Sequence, residues 1–349
     1  MRKSLLLLAL PSLPLVAACA TVPVAGDPAV AVFATAETEP VGTANEDAAD
    51  DPAIWRNAES PADSLIVATD KKGGLYVYDL AGKVKHYAAR PGLNNVDLVD
   101  MGNQIVVFAS DRSDLANARI ALFRLDPARG RLDDIATLAS GPGEAYGICG
   151  RRDGERLRVY TALKSGMIGE WLIRFSAASP QIQQLRTMQV PSQPEGCAVD
   201  DRNGTLYIGE EAGGIWRFFD GTEQGELVAE VDNRHLVADL EGLALVPDGR
   251  DGGWLYASSQ GDNTYMRYAL PSMTPAGRFR IAAGQFGATE ETDGIEAKRG
   301  NFGPAFPGGI FIAQDGINEA RAQNFKMVPL DEIEKALEAS LGSETVADR

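Results

Sequence analysis

The stretch Glu46-Asp47-Ala48-Ala49-Asp50-Asp51-Pro52-Ala53-Ile54-Trp55 places four carboxylates directly before a short apolar run, which is typical of an acidic loop leading into a β-strand. A lead residue, usually acidic or polar, precedes such a run six times. The lead residues are Asp51, Asn95, Tyr146, Glu195, Glu241 and Asp293, at steps of 44, 51, 49, 46 and 52 residues. Strand-built repeats of about 40 to 50 residues indicate a β-propeller with one four-stranded blade per repeat. The sequence therefore predicts an all-β, six-bladed propeller.

The last repeat lacks a fourth strand. An N-terminal strand near residues 31–35 can supply it, and we assign that strand to the sixth blade, so that the ring closes with few free sheet edges. After Pro329, residues 331–338 carry strong helix formers with Ile333 and Leu337 at helical spacing, which predicts a terminal helix.

The N-terminus has the pattern of an export signal. Arg2 and Lys3 precede a short apolar run, and Val16-Ala17-Ala18-Cys19 resembles the end of a bacterial lipoprotein signal, with Cys19 becoming the lipidated N-terminus. The run is too short to span a bilayer. We expect a signal peptide over residues 1–18, an anchor, tether and closing strand over 19–45, the propeller over 46–330, and a helix and tail over 331–349. The expected location is the cell envelope, periplasmic or outer-membrane associated, or the medium, with membrane contact only through the lipid.

The net charge and the residue types present argue against several classes of function. The net charge of −16 argues against a nucleic-acid partner. There is no CxxC or HExxH motif, and His86 and His235 lie outside the repeated motifs, so histidine catalysis is disfavoured. We interpret Cys149 and Cys197 as small buried apolar residues rather than a disulfide, because adjacent blades need not bring them within bonding distance. We expect a monomer.

Equivalent strand starts of a propeller lie around one end of its channel, so the lead residues should face one another. Asp97 and Asp239 lie two residues from a lead residue and can share its face through strand alternation. The loops after the second strands add Asp70, Asp111, Glu210, Glu211 and Asp315 if they open at the same end. So many carboxylates repel one another unless protonated or metal-bound. Solvated surface acids are the plain alternative, but oxygen-only ligands in register favour several Ca²⁺ ions.

A few cations follow the same second strands, namely Lys71, Lys72, Arg112 and Lys164. Singly, each is a solvated surface side chain. Together, beside bound calcium, they favour an oxyanion site, since bound cations invert the local potential and arginine grips phosphate with a planar fork.

These motifs resemble those of the β-propeller phytases, the calcium-dependent alkaline phytase family. Residues 47–55 match one signature of that family closely, and residues 94–98 match most of its second. Further matches lie at residues 71–75, 111–113, 146–147, 195–197, 210–211, 239–242, 259–261, 292–295, 313–316 and 324–329. The resemblance spans nearly all of the chain that follows the signal peptide.

The resemblance implies calcium-dependent hydrolysis of the phosphate monoesters of phytate (myo-inositol hexakisphosphate) and of lower inositol phosphates, without a covalent intermediate. Calcium would polarise the phosphoryl oxygens and bridge an attacking water. The resemblance and the residue pattern together predict ten metal ligands, namely Asp50, Asp51, Asn95, Asp97, Glu195, Glu211, Asp239, Glu241, Asp293 and Asp315. The expected phosphate contacts are Lys71, Lys72, Arg112, Tyr146, Lys164 and Gln260. The expected catalytic residues are Lys71, Arg112, Glu195, Glu211 and Glu241.

Two positions depart from the family pattern. Val99 stands where the second signature continues with arginine, and Met167 aligns with a phosphate-binding lysine in a loop that we place at the channel mouth. Lys164 lies three positions away.

Two other functions remain open. A calcium-dependent lactonase or esterase on a six-bladed propeller also uses a carboxylate-lined channel, but it needs no basic groups for phosphate. A surface propeller that binds calcium and a partner without catalysis is the third candidate, because propellers host many functions.

Overall fold

Six β-sheets, arranged as blades around a channel, make up most of the protein. The computed structural model describes residues 24–176 and 179–347, with side chains described as far as residue 340. The expected signal peptide and Cys19 lie outside this part of the chain. The blade number and the all-β class confirm the prediction from the repeats.

Two short N-terminal strands, β1 (Val30–Phe33) and β2 (Ala36–Glu37), precede the first blade. Blade 1 contains β3 (Ala49–Trp55), β4 (Leu65–Asp70), β5 (Gly74–Asp79) and β6 (Val84–Ala89). Blade 2 contains β7 (Leu93–Asp100), β8 (Ile105–Asp111), β9 (Asn117–Asp126) and β10 (Arg131–Pro142). Blade 3 contains β11 (Ala145–Asp153), β12 (Arg156–Leu163), β13 (Met167–Arg174) and β14 (Gln181–Gln189).

The second half of the ring repeats the arrangement. Blade 4 contains β15 (Pro194–Val199), β16 (Leu206–Glu210), β17 (Gly214–Phe218) and β18 (Glu226–Glu230). Blade 5 contains β19 (Leu240–Asp248), β20 (Gly252–Ser259), β21 (Thr264–Ala269) and β22 (Thr274–Ala282). Blade 6 contains β23 (Ile295–Arg299), β24 (Gly309–Asp315) and β25 (Asn324–Pro329). Short 3₁₀ turns lie at Pro61–Asp63 and Gln260–Asp262, and helix α1 spans Leu330–Ala347.

The second strand of each blade is buried on both faces, which explains why these strands are continuous apolar runs. In β4, Ile66 packs with Ile312 of blade 6, while its neighbour Val67 packs with Val107 of blade 2. Successive strand residues point to opposite faces, so each second strand contributes to the cores on both of its sides. The other interfaces join Phe108 with Val159, Tyr160 with Ile208, Tyr207 with Leu255, and Tyr256 with Phe311.

The N-terminus closes the ring, as predicted, but with a different strand. β2 pairs antiparallel with β25 and supplies the fourth strand of blade 6. The assignment of residues 31–35 to that blade is wrong, because β1 pairs parallel with β22 and becomes a fifth strand of blade 5. The fully buried Lys326 ties β2 to blade 6, with its Nζ 2.6 Å from Glu37 Oε2 and 3.1 Å from Asp315 Oδ2.

Helix α1 covers the junction of blades 5 and 6. The predicted apolar pair, Ile333 and Leu337, is fully buried in the same cluster as Phe279 and Phe311. Within the described residues, no helix has the length and apolar character needed to cross a bilayer.

Candidate active site at one end of the channel

The lead residues are positioned by close contact between neighbouring innermost strands. A Cβ added to Gly196, which follows Glu195, would lie 2.3 Å from the carbonyl oxygen of Glu241 in the next blade. Gly242, which follows Glu241, contacts the lead residue of blade 6: its N–H donates to the carbonyl oxygen of Asp293 at 2.7 Å. Glycine after a lead residue therefore sets the spacing of the carboxylates around the channel end.

The innermost strands of blades 1 to 5 each carry an irregularity at the lead residue. The strand register shifts there, for example between Ala49 and Pro52 and between Pro194 and Cys197. A β-bulge interrupts the alternation of side chains and re-aims them. Side chains at the lead positions therefore do not follow the simple two-residue alternation assumed from the sequence.

Lys71 lies at the centre of one carboxylate cluster. Its Nζ is 2.9 Å from Asp47 Oδ1, 3.1 Å from Asp50 Oδ1 and 2.9 Å from Asp293 Oδ2. Burial alone lowers the pKa of Lys71, but these carboxylates outweigh burial and raise it. Gln260, expected to contact phosphate, donates instead to Asp293 Oδ1 at 2.7 Å.

A second cluster joins Glu195, Glu211 and Glu241, each of which offers an oxygen within 4.8 Å of the other two. Burial, followed by the charge of Asp50, raises the pKa of Glu195, and burial together with Glu195 raises that of Glu241. Burial and the nearby Asp239 raise the pKa of Glu211. These shifts indicate that the site disfavours the full set of ionised carboxylates.

Some buried oxygens of the two clusters accept no hydrogen bond. They are Oδ2 of Asp50, which is fully buried and whose Oδ1 meets Lys71, and Oε2 of Glu241, which is 5% exposed. Unsatisfied buried carboxylate oxygens are costly, so they indicate a missing cationic partner.

Cations lie beside the second cluster, around the ring of Tyr146. Lys164 Nζ is 4.5 Å and the Arg112 guanidinium carbon 5.5 Å from the ring centre. Both cations are within 3.6 Å of Glu144 Oε1. The structure thus brings together Tyr146, Arg112 and Lys164, three of the expected phosphate contacts, whereas Lys72 is exposed at the turn after β4.

Three residues of the site were not singled out from the sequence. Asn94 accepts from Arg112 Nη1 at 2.8 Å and donates to Glu195 Oε1 at 2.8 Å, so it links the cations to the carboxylates. Its neighbour Asn95 is buried beside it. Asp47 and Glu144 pair with the cations described above. Asn94 and Asp47 belong to the two signature stretches, which was the signal available in the sequence.

Four acids at the ends of second strands do not join the clusters. Asp70 accepts from the N–H groups of Lys72 and Gly73. Asp111 and Asp315 likewise accept from backbone N–H groups two or three residues further on, whereas Glu210 accepts from the N–H of Ser192 in the loop before β15. The recurrence of the three aspartates reflects turn capping. Asp315, expected to bind metal, is instead buried against Lys326.

Asp51 and Asp97 lie further along the channel. Asp51 Oδ2 accepts from Val96 N–H at 3.1 Å, and Asp97 Oδ2 accepts from Gly150 N–H at 2.9 Å. Burial raises the pKa of Asp97 to about 7 and also raises that of Asp51. Both residues line a channel cavity of about 830 Å³, whereas Asp50 is the aspartate that meets Lys71.

The two departures from the family pattern have structural explanations. Met167 is the first residue of β13 and packs against Ala118, Ala145 and Leu163, so its placement in a post-strand loop was wrong. The cation at this point of the mouth is Lys164. Val99, late in β7, packs with the cluster between blades 2 and 3, away from the strand start.

Cys149 and Cys197 form a disulfide, with their Cα atoms 5.4 Å apart. The interpretation as unpaired apolar residues was wrong. The close contact of innermost strands at Gly147 and Glu195 brings β11 and β15 together, which the sequence separation alone did not reveal.

The fold is a six-bladed β-propeller. The site at the mouth of its channel is acidic, offers oxygen ligands only and is flanked by cations. The phytase family profile matches residues 3–348. The chain belongs to the phytase family, and it is therefore a phosphoric monoester hydrolase, as the sequence predicted.

Individual comparisons agree with this family. The chain is similar to a 3-phytase from Bacillus subtilis (strain 168), with 37% identity over 330 residues that cover 88% of this chain and 85% of the relative. A weaker match, 23% identical over 217 residues, is to the pre-rRNA-processing protein crb3/ipi3 of Schizosaccharomyces pombe (strain 972 / ATCC 24843); it covers 55% of this chain and 45% of that protein. A chain of the crystal structure of the mitotic checkpoint complex aligns with a TM-score of 0.54 and 11% identity, covering 92% of this chain and 99% of the other, which supports the fold alone.

Proposed function

We propose that this phytase-family hydrolase releases phosphate from phytate and lower inositol phosphates, using several Ca²⁺ ions held by the carboxylates of the channel mouth. The observation that carries the proposal is the presence of buried carboxylate oxygens without a partner, Asp50 Oδ2 and Glu241 Oε2, beside a single lysine. Tyr146, whose pKa is raised by burial and by nearby carboxylates that include Glu241 and Asp50, lies beside the cations Arg112 and Lys164.

The donor set fits calcium. Asp50, Asp293, Glu195, Glu211 and Glu241 offer only carboxylate oxygens, and oxygen-only sites select hard cations. Lys71 alone brings one positive charge to three carboxylates, which leaves negative charge for metal to balance. Calcium fits better than magnesium because it tolerates many protein carboxylates in irregular geometry.

When bound, Ca²⁺ supplies positive charge that polarises the phosphoryl oxygens and lowers the pKa of a nearby water. Side chains of the protein bind the substrate phosphate and stabilise the charge that develops during the reaction. Arg112 and Lys164 hold substrate phosphate through charge-assisted hydrogen bonds, and Asn94 fixes the Arg112 guanidinium. Lys71, already buried at the mouth, stabilises the charge that develops on the transferred phosphoryl group. A lactone would need none of these cations.

The electrostatics of the site support an alkaline preference. Calcium must displace protons from carboxylates whose pKa values burial has raised, that of Glu195 to about 7. Metal affinity should therefore increase as the pH rises through this range, because metal binding releases those protons.

The test is phosphate release from phytate by the purified protein with Ca²⁺ and with excess chelator, compared with turnover of a simple lactone. We expect phosphate release with calcium and its loss in chelator. Glu195→Gln should lower kcat by at least about tenfold, while Glu223→Gln, on an exposed turn of blade 4, serves as the matched control. Full activity in excess chelator, or lactone turnover without phosphate release, would overturn the proposal.

We also propose export with a lipid anchor at Cys19, supported by the N-terminal pattern. A Cys19→Ser variant expressed in a bacterial host should lose incorporation of labelled fatty acid and appear in the soluble fraction. Labelling equal to that of the parent protein would contradict the anchor.

A further inference from the structure

The Cys149–Cys197 disulfide joins two blades that have no sheet hydrogen bonds in common. Cys149 lies in β11 of blade 3 and Cys197 in β15 of blade 4, and these strands belong to different sheets. Their 48-residue separation encloses all the other strands of blade 3. Both cysteines line the channel cavity. The covalent link therefore connects innermost strands that no sheet hydrogen bonding joins.

The linked positions lie directly below the mouth. Tyr146 is three residues before Cys149, and Glu195 is two residues before Cys197. Tyr146 belongs to the cationic side of the site, where it lies beside Arg112 and Lys164. Glu195 belongs to the carboxylate side. The two halves of the site thus sit on the two strands that the disulfide joins.

The contact above the disulfide leaves little room for relative movement. A Cβ on Gly147 would lie 2.0 Å from the carbonyl oxygen of Glu195, so the backbones touch at this point. Such a contact prevents closer approach of the strands but does not prevent their separation. Ion pairs of Arg151 and Arg158 with Asp220 also join blades 3 and 4. The disulfide adds a covalent restraint between the innermost strands themselves, and so limits how far these two strands can move apart.

We propose that the Cys149–Cys197 disulfide is a positioning element of the active site, which holds Tyr146 at a set distance from Glu195 and so keeps the phosphate-binding cations in register with the carboxylates. This inference rests on the proposed calcium-dependent function. Displacements of about 1 Å between reacting groups can cost on the order of a hundredfold in rate, and changes in the groups that orient metal ligands cost about 10 to 100-fold in metal affinity or activity.

The experiment compares the full-length protein with the Cys149→Ala, Cys197→Ala double variant. Calcium affinity is measured by titration calorimetry, and kcat and KM are measured with phytate and with a small phosphate monoester. We expect calcium binding about tenfold weaker or more and a lower kcat for both substrates. Wild-type protein treated with excess dithiothreitol, which converts the disulfide to two thiols and is itself oxidised to a cyclic disulfide, should reproduce these changes if the double variant does not fold.

A matched control separates positioning from general stability. Leu337→Ala removes a buried contact of helix α1 at the blade 5 and 6 junction and should lower Tm without changing calcium affinity. Unchanged calcium affinity and kcat in the disulfide variant, or equal losses in Leu337→Ala, would overturn the inference. Crystal structures of metal-free wild type and double variant give a readout independent of calcium, because the distance between Tyr146 and Glu195 should increase in the variant. If wild type itself neither binds calcium nor hydrolyses phytate, the proposed function fails, and this distance alone decides the inference.

Discussion

Replacing Glu241 by glutamine should make the metal-free protein more stable and the calcium-bound protein less so. Glu241 is buried, its Oε2 accepts no hydrogen bond, and an oxygen of it lies within 4.8 Å of oxygens of Glu195 and Glu211. The glutamine amide keeps the shape but removes one negative charge. The opposite signs with and without calcium distinguish an electrostatic metal site from a packing role.

The magnitude follows from Coulomb's law. Two unit charges 4.8 Å apart at an effective dielectric constant of about 20 repel by about 3 kcal/mol. Where Glu241 is ionised, removing its charge should therefore stabilise the metal-free protein by about 3 kcal/mol. With an unfolding entropy of about 2.1 cal/mol/K per residue, this corresponds to a rise in Tm of about 4 °C for a chain of this size.

The effect has a defined pH dependence. Burial and the charge of Glu195 raise the pKa of Glu241 in the folded protein. Protonated Glu241 thus stabilises the fold below its unfolded pKa, and this contribution is lost as the pH rises through the folded value. As the pH falls toward 5, more of the wild-type side chain is protonated and so resembles glutamine, and the difference in Tm between the two proteins should shrink.

The assay is calorimetric melting of both proteins at pH 5 and pH 8, in chelator and in excess Ca²⁺. Calcium should raise the Tm of wild type more than that of Glu241→Gln, because the variant binds the ion more weakly. Glu223→Gln again provides the control for loss of an exposed charge. A lower Tm for Glu241→Gln in chelator at pH 8, or the same gain at pH 5 as at pH 8, would refute the reasoning.

Four further perturbations follow from named contacts. Gly196→Ala should lower Tm and kcat together, because the added methyl group would overlap the carbonyl oxygen of the next blade. Overpacking of this kind costs about 1 to 3 kcal/mol. A Tm and a kcat equal to those of wild type would contradict the close contact. Lys326→Met should destabilise the ring closure by about 3 to 5 kcal/mol, measured by urea unfolding, because it leaves the buried Asp315 without its cationic partner; an unchanged unfolding midpoint would contradict this. Lys164→Ala should raise KM for phytate about fivefold, as expected for a contact worth about 1 kcal/mol. Met167→Lys should leave the affinity for phytate unchanged and lower Tm, because it places a charge against an apolar cluster. Tighter phytate binding by this variant would show that residue 167 lies at the channel mouth after all.

The sequence by itself determined the number of blades and the residue types at the mouth. Each innermost strand must begin with a lead residue that meets its neighbours, so the motif recurs once per blade. Each second strand is buried on both faces, so its apolar run recurs as well, as Ile66 and Val67 illustrate. These patterns are local, and local patterns survive in a linear sequence.

The tertiary structure alone decided which oxygens meet. The bulge at the start of β3 turns Asp50 toward Lys71 and Asp51 down the channel, although both aspartates stand side by side in the chain. β2, and not the strand at residues 31–35, pairs with β25 and completes blade 6. Contact between blades 3 and 4 places Cys149 next to Cys197. Such choices depend on contacts between segments tens to hundreds of residues apart, for which no local pattern of the chain carries a signal.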